Sequence, residues 1–204
     1  AVLPSNYLYV SGDNGAHTFS DGVTLKTAGT QSVTATDTVT SSITGTQSAV
    51  TVDPAAVSAA NSTIAASPGT VSADGVATTT ITITAKDAFS NGIPGIAAVS
   101  IVAAITGADN TILQPATPTD ANGRTMGTLA STKAETKIVS VTVNSVAVTE
   151  TASVIFLNLA PVLTDSNVAL SAENEDAGPP TGAVGTPVSS LVDFATPTGQ
   201  RDNV

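Results

Sequence analysis

Hydrophobic and polar residues alternate with a period of two through much of the chain. Threonines alternate with Ile and Ala in TITITA, residues 80–85, and Val alternates with polar residues in VSVTVN, residues 139–144. β-Branched side chains suit a pleated surface with one buried face, so this pattern predicts antiparallel strands that are wet on one side. No segment of useful length carries an apolar stripe at helical spacing. The fold is therefore predicted to be all-β.

Short turn signals separate the alternating runs. Asp74-Gly75, Asn91-Gly92 and Asn122-Gly123 each join two stretches of strand-like sequence. Glycine and asparagine tolerate the positive φ angles that tight turns require. Short strands at regular intervals with such turns predict immunoglobulin-like β-sandwich modules.

An internal repeat predicts how these modules follow one another. TLKTAGTQSVTAT, residues 24–36, aligns with TLASTKAETKIVSVT, residues 128–142, at an offset close to one immunoglobulin-type module of about 100 residues. Asp53-Pro54 and Ala160-Pro161 follow the two copies, and proline stiffens a junction. The predicted tandem comprises the C-terminal part of an immunoglobulin-like module at 1–52, a complete module at 53–156, and the beginning of a cadherin-like or immunoglobulin-like module at 157–204.

Three ordered motifs in the middle module carry a family resemblance. They are STIAASPGTVSADG at 62–75, ITITAKDAFSNGIPG at 81–95 and TDANGRTMGTLAS at 119–131. Together they resemble the bacterial immunoglobulin-like repeats of the invasin/intimin type, which occur in tandem in giant bacterial surface adhesins. The resemblance implies that KDAFSNGIPG, residues 86–95, is a strand end and a connection, and so a spacer.

The sequence departs from the family pattern at three positions. Ser90 stands where the family usually has Gly, Gly92 where it has Pro, and Glu135 where it has a turn Gly. These departures affect the expected turn types and leave the predicted fold unchanged.

Charge and hydropathy limit the partners and the location. Sixteen acidic residues against six basic ones give a formal charge of −10, which opposes nucleic-acid binding and suits an extracellular surface. The longest apolar stretch, Ile93–Ile105, is interrupted by Pro94, Gly95 and Ser100, and it is shorter than the about 20 residues of a membrane helix. We therefore expect no membrane insertion in this segment. The acidic charge suits a place outside the cell, and the family resemblance implies that this place is a bacterial surface.

The residues required for catalysis are largely missing. His17 is the only histidine, there is no cysteine, and no Gly-x-Ser-x-Gly motif occurs. A serine-nucleophile triad or a zinc site would need these groups. The sequence therefore predicts a protein that is not an enzyme.

Calcium is the one metal for which the sequence offers candidate ligands. AENEDAG, residues 172–178, places Glu173, Glu175 and Asp176 just beyond a predicted module boundary, and hard cations take such oxygen ligands. The surrounding sequence resembles the start of a cadherin-like repeat, in which a similar acidic stretch shares calcium with the preceding linker. These three residues are a candidate calcium site, and a solvated acidic loop is the alternative.

Three functions follow from these observations. The first is a non-enzymatic stalk or adhesive segment of a bacterial surface protein, whose partners are neighbouring repeats and a host or cell-surface receptor. The second is a subunit of an extracellular filament or surface layer, in which copies of the chain exchange β-strands. The third is an accessory binding module of a secreted enzyme, and the low aromatic content, 3%, weakens it because such modules stack sugars on aromatic rings.

Overall fold

The computed structural model of the chain describes residues 1–158. Eleven strands lie within them, together with 3-10 turns at Ser11–Asp13 and Ala98–Ser100. The strands are β1 (Gly29–Thr36), β2 (Thr44–Val52), β3 (Thr63–Ser67), β4 (Thr70–Ser72), β5 (Thr79–Thr84), β6 (Ile101–Ile105), β7 (Asn110–Leu113), β8 (Arg124–Ser131), β9 (Thr136–Val143), β10 (Val146–Ala147) and β11 (Ala152–Leu157). The predicted all-β class is confirmed.

Strands β3 to β11 form a two-layer sandwich, called the middle sandwich below. One sheet has the order β3-β5-β8-β7. In the other sheet β9 pairs with β6, β10 and β11, and β11 also pairs with β4. This is the immunoglobulin-like arrangement that the turn spacing predicts.

The core lies between the two sheets and follows the period-two pattern. Ile81 and Ile83 on β5 are buried, and the threonines between and beside them are only partly buried. Val139 and Val141 lie on β9, in the other sheet, and belong to the same apolar cluster as these isoleucines. Phe156 on β11 is also part of this cluster. The alternation read from the sequence therefore identifies the buried faces correctly.

The first strand of the middle sandwich is divided between the two sheets. β3 pairs with β5 in an antiparallel arrangement, and β4 crosses over to pair with β11 in parallel, with Thr70 opposite Ile155. The N–H of Ala73 donates to the carbonyl of Leu157 at 2.8 Å, and that of Ile155 donates to the carbonyl of Gly69 at 2.9 Å. The opening and closing strands of the sandwich are thus bonded directly.

Residues 1–52, called the leading segment below, contain a separate two-stranded sheet. β1 and β2 are antiparallel, with Thr51 opposite Thr30. The residues at the equivalent positions of the second repeat copy, Ile155 on β11 and Thr136 on β9, lie opposite each other in the same way. The internal repeat therefore has a counterpart in strand pairing. The division of the chain at 52 and 156 stays a prediction.

Candidate functional site at the junction of the leading segment

A buried carboxylate organises the loop between β5 and β6. Asp87 is 1% exposed, and its Oδ1 accepts hydrogen bonds from the backbone N–H groups of Phe89 at 2.8 Å and Asn91 at 2.9 Å. Its Oδ2 accepts from the N–H of Ala55 at 3.0 Å and from Nδ2 of Asn91 at 2.8 Å. One side chain therefore fixes its own loop and also the linker that follows β2.

Asn91 extends this network into the leading segment. Its Oδ1 accepts from the N–H of Ala28 at 3.0 Å, and its Nδ2 donates to the carbonyl of Lys26 at 2.8 Å. The carboxamide thus binds an N–H and a C=O two residues apart, as the backbone of a neighbouring strand would. Asp87, Asn91 and the backbone groups of Lys26, Ala28 and Ala55 are called the junction cluster below.

Further contacts support the junction cluster from both sides. The Lys26 ammonium lies 5.3 Å from the centroid of the Phe89 ring, within the range of a cation–π interaction. Asn61 Nδ2 donates to the Asp87 carbonyl at 3.0 Å, which ties the loop to the residues before β3. The junction therefore combines hydrogen bonds with a cation–π contact.

The charge state of Asp87 follows from these partners. Burial disfavours the carboxylate and raises its pKa, but the hydrogen bonds from Asn91, Ala55 and Phe89 outweigh burial, and the pKa of Asp87 is lowered. The group is consequently ionised at neutral pH. A charged acceptor makes the N–H bonds of the junction cluster stronger than neutral ones.

The backbone of this loop differs from what the glycine pattern suggests. Ser90, which replaces the usual family Gly, has a positive φ of 65°. In the second half of the loop the residue with a positive φ is Gly95. Gly92 does not adopt a positive φ, and it is needed for space, because a Cβ there would overlap the backbone of Asn122. The prediction that residues 86–95 connect two strands is confirmed, but the sequence did not indicate their contact with Lys26 and Ala28.

The candidate calcium ligands cannot be placed. Glu173, Glu175 and Asp176 lie outside the described residues, so the calcium site stays a prediction. Between residues 1 and 158 no group of three or more His, Asp or Glu side chains is arranged to hold a metal. In the same part of the chain no helix is long and apolar enough to cross a membrane.

The only histidine belongs to an exposed aromatic cluster in the leading segment. His17 stacks on Tyr7 with ring centroids 3.5 Å apart, and Phe19 and Tyr9 meet the Tyr7 ring edge-on. The Tyr7 hydroxyl donates to the Asp13 carboxylate at 3.1 Å. Sequence reasoning missed this cluster because it weighed only the low aromatic content and not where the aromatic residues lie.

Comparisons with known proteins identify the family and the fold. A family model described as invasin, domain 3 matches residues 58–159, half of the chain. No protein in a curated sequence collection matches.

Three solved bacterial structures are similar to parts of this chain. InvD of Yersinia pseudotuberculosis is 21% identical, with a TM-score of 0.50 over 71% of this chain and 42% of InvD. FdeC, an Escherichia coli adhesin, is 23% identical, with a TM-score of 0.49 over 68% of this chain and 52% of FdeC. Invasin, a bacterial integrin-binding protein, is 24% identical, with a TM-score of 0.45 over 55% of this chain and 22% of invasin. The chain spans about half the length of the FdeC structure, and less of the other two.

The family-model match over the middle sandwich, together with its strand order, shows that the chain belongs to the invasin domain 3 family of bacterial immunoglobulin-like domains.

Proposed function

We propose that this chain is a non-enzymatic stalk segment of a bacterial surface adhesin, in which the junction cluster holds successive modules in a fixed arrangement. The observation that carries this proposal is the Asn91 carboxamide bound to both Lys26 and Ala28. Family membership supports the adhesin context and a place on the cell surface. In such a stalk the principal partner of a module is its neighbour along the chain.

The physical role of the junction cluster is to limit bending between modules. A short linker alone would leave the two bodies free to reorient, because interdomain contacts are usually small and polar. Here Asp87 holds the linker at Ala55, while Asn91 holds the chain at Ala28, just before β1. Two attachments at separate points of the chain restrict rotation more than one does.

The test measures the distance distribution across the junction. The chain has no cysteine, so Ser48→Cys and Ser153→Cys, both at exposed positions, accept spin labels at two defined sites. We expect a narrow distribution in the otherwise wild-type chain and a broad one after Asn91→Ala. Asn122→Ala, in a loop of the same sandwich where the side chain is exposed, is the matched control and should stay narrow. Equally broad distributions in all three would contradict the proposal.

Direct adhesion is a second candidate, favoured by the aromatic cluster. Tyr9 is 57% exposed and Phe19 is 42% exposed, beside Leu8 at 85%. Exposed apolar patches of this kind mark interaction sites, and aromatic residues dominate binding energies at interfaces. Binding of the immobilised chain to host cells should then fall after Tyr9→Ser, whereas Met126→Ser, at an exposed position of β8 outside the cluster, should leave it unchanged.

One edge of the sandwich is poorly suited to the strand exchange that the filament alternative requires. Strand exchange requires an unpaired edge, and the outward backbone groups of Ala103 on β6 are already bonded to the Gln114 side chain. Sedimentation over a wide concentration range would separate the two ideas, since a filament subunit polymerises and a stalk segment does not.

A further inference from the structure

Asn91 is followed by Gly92, and this pair has an intrinsic reactivity. Glycine has no Cβ, so its amide nitrogen approaches the preceding Asn Cγ without hindrance. When a base removes the Gly92 amide proton, the nitrogen attacks Cγ, the N–Cγ bond forms and the Cγ–Nδ2 bond breaks. The leaving Nδ2 group takes up a proton and departs as ammonia, leaving a cyclic imide. Water then opens the imide to Asp or to its β-linked isomer.

The junction cluster controls whether this reaction can occur. The Gly92 N–H makes no hydrogen bond within residues 1–158, so the nucleophile is available. The Asn91 carboxamide is held by three hydrogen bonds, to Ala28, Lys26 and Asp87. Cyclisation requires this group to rotate toward Gly92, and rotation breaks the bonds to the leading segment.

We propose that Asn91 is a deamidation site gated by the junction, which protects the residue while closed and cannot close again once the residue has reacted. The inference rests on the proposed role of the junction cluster and adds a covalent outcome to it. A junction that opens often, under load or with age, converts Asn91 irreversibly. The modified chain keeps the middle sandwich and loses the fixed arrangement of the leading segment.

The product opposes closure for two reasons. A carboxylate at position 91 has no N–H to donate to the Lys26 carbonyl, so two acceptors would face each other. It would also stand beside the Asp87 carboxylate, at the place where Nδ2 now donates over 2.8 Å. Two carboxylates this close do not both ionise without a large electrostatic cost, so the side chains at positions 87 and 91 must move apart.

A second Asn–Gly pair supplies an internal reference. Asn122 is exposed, and its side chain makes no hydrogen bond in the part of the chain that the structure describes. The Gly123 N–H, however, donates to the Asp120 carbonyl at 2.9 Å. Its reaction therefore depends on a local turn and does not depend on the junction.

The experiment ages the full chain in mildly alkaline buffer and follows both sites by peptide mass spectrometry. Ala28→Pro removes the N–H that bonds Asn91 Oδ1. Thr38→Pro, in the exposed turn between β1 and β2, is the matched control, because that N–H makes no hydrogen bond among the described residues. We expect Asn91 to deamidate about tenfold faster in Ala28→Pro than in wild type, because a protected group reacts only through local opening. Asn122 should react at one rate in all three chains.

The milder variant Phe89→Ala guards against general misfolding. It removes the ring contact with Lys26 and should raise the Asn91 rate by a smaller factor, again without changing Asn122. Equal Asn91 rates in wild type, Ala28→Pro and Phe89→Ala would overturn the inference. The spin-label distance in Asn91→Asp separates this result from failure of the proposed function. A distribution that is narrow in Asn91→Asp but broad in Asn91→Ala overturns the inference alone, whereas one that is narrow in both variants removes the proposed function as well.

Discussion

The side chain of Gln114 binds the backbone of Ala103 through both ends of its carboxamide. Its Oε1 accepts from the Ala103 N–H at 2.8 Å, and its Nε2 donates to the Ala103 carbonyl at 2.7 Å. Ala103 lies in the middle of β6, whose other side pairs with β9. Gln114 therefore occupies the position that a further strand would take at this edge.

Removing this side chain should make the chain self-associate. After Gln114→Ala, the Ala103 N–H and carbonyl become unpaired beside the exposed Val102, and an open edge of this kind pairs with another chain. We expect concentration-dependent dimers by analytical ultracentrifugation. Gln47→Ala is the control, since among residues 1–158 that carboxamide donates only to the adjacent Ser48 carbonyl. A strictly monomeric Gln114→Ala protein would show that the edge is protected by something else.

Acid should weaken the junction through Asp87. Its pKa is lowered on folding, so the stabilisation is fully present above the unfolded value of about 3.9 and is lost as pH falls through the folded value. The free energy of unfolding of wild type should thus exceed that of Asp87→Asn at neutral pH, and the gap should shrink in acid. Urea titrations of both proteins at neutral and acidic pH measure it. A gap that stays constant with pH would contradict the assignment.

A buried lysine leads to an asymmetric prediction for its ion pair. Lys137 is fully buried, and its Nζ donates to the Ala108 carbonyl at 2.5 Å and to Glu135, whose side chain is 30% exposed. Glu135→Ala leaves a buried ammonium without its counter-charge, whereas Lys137→Met replaces it with an apolar chain of similar length and leaves Glu135 facing water. We expect Lys137→Met to change stability by less than about 1 kcal/mol and Glu135→Ala to be clearly more destabilising. Thermal unfolding of the two variants checks the order, and the reverse order would be inconsistent with the burial of Lys137.

Calcium binding remains a prediction for the part of the chain beyond the described residues. We expect Glu173, Glu175 and Asp176 to bind Ca²⁺ through carboxylate oxygens and so to stabilise the junction after Phe156 by mass action. Calorimetric titration of the full chain with CaCl₂ should give heat that Glu173→Ala and Asp176→Ala each reduce. Negligible heat in the unsubstituted chain would contradict calcium binding at these residues.

Local patterns in the sequence predicted much of the sandwich. The alternation at 80–85 and 139–144 identified the buried faces, because a strand presents successive side chains to opposite sides. The turns at Gly75 and Gly123 have φ of 75° and 77°, as the Asp-Gly and Asn-Gly pairs suggest. In both cases the responsible residues are neighbours in sequence.

The junction cluster could not be predicted in this way. Asn91 reads locally as a turn residue, and its partners Lys26 and Ala28 lie 65 and 63 positions away. In these two hydrogen bonds the partners contribute backbone atoms, which the identity of a side chain does not reveal. Lys137 was missed for a related reason, since a lysine is expected in water unless other groups satisfy its charge, here Glu135 two residues before it and the distant Ala108 carbonyl.

The parallel pairing of β4 with β11 determines how the middle sandwich responds to tension. The chain enters before β4 and leaves after β11, so a force applied to the two ends pulls these strands in opposite directions along their common axis. The bonds from Ala73 to Leu157 and from Ile155 to Gly69 are then loaded together in shear, whereas antiparallel end strands would open one bond at a time. A module built this way resists extension at its first and last strands. Once β3 has been pulled away from β5, the rest of the core stays covered until that pair gives way.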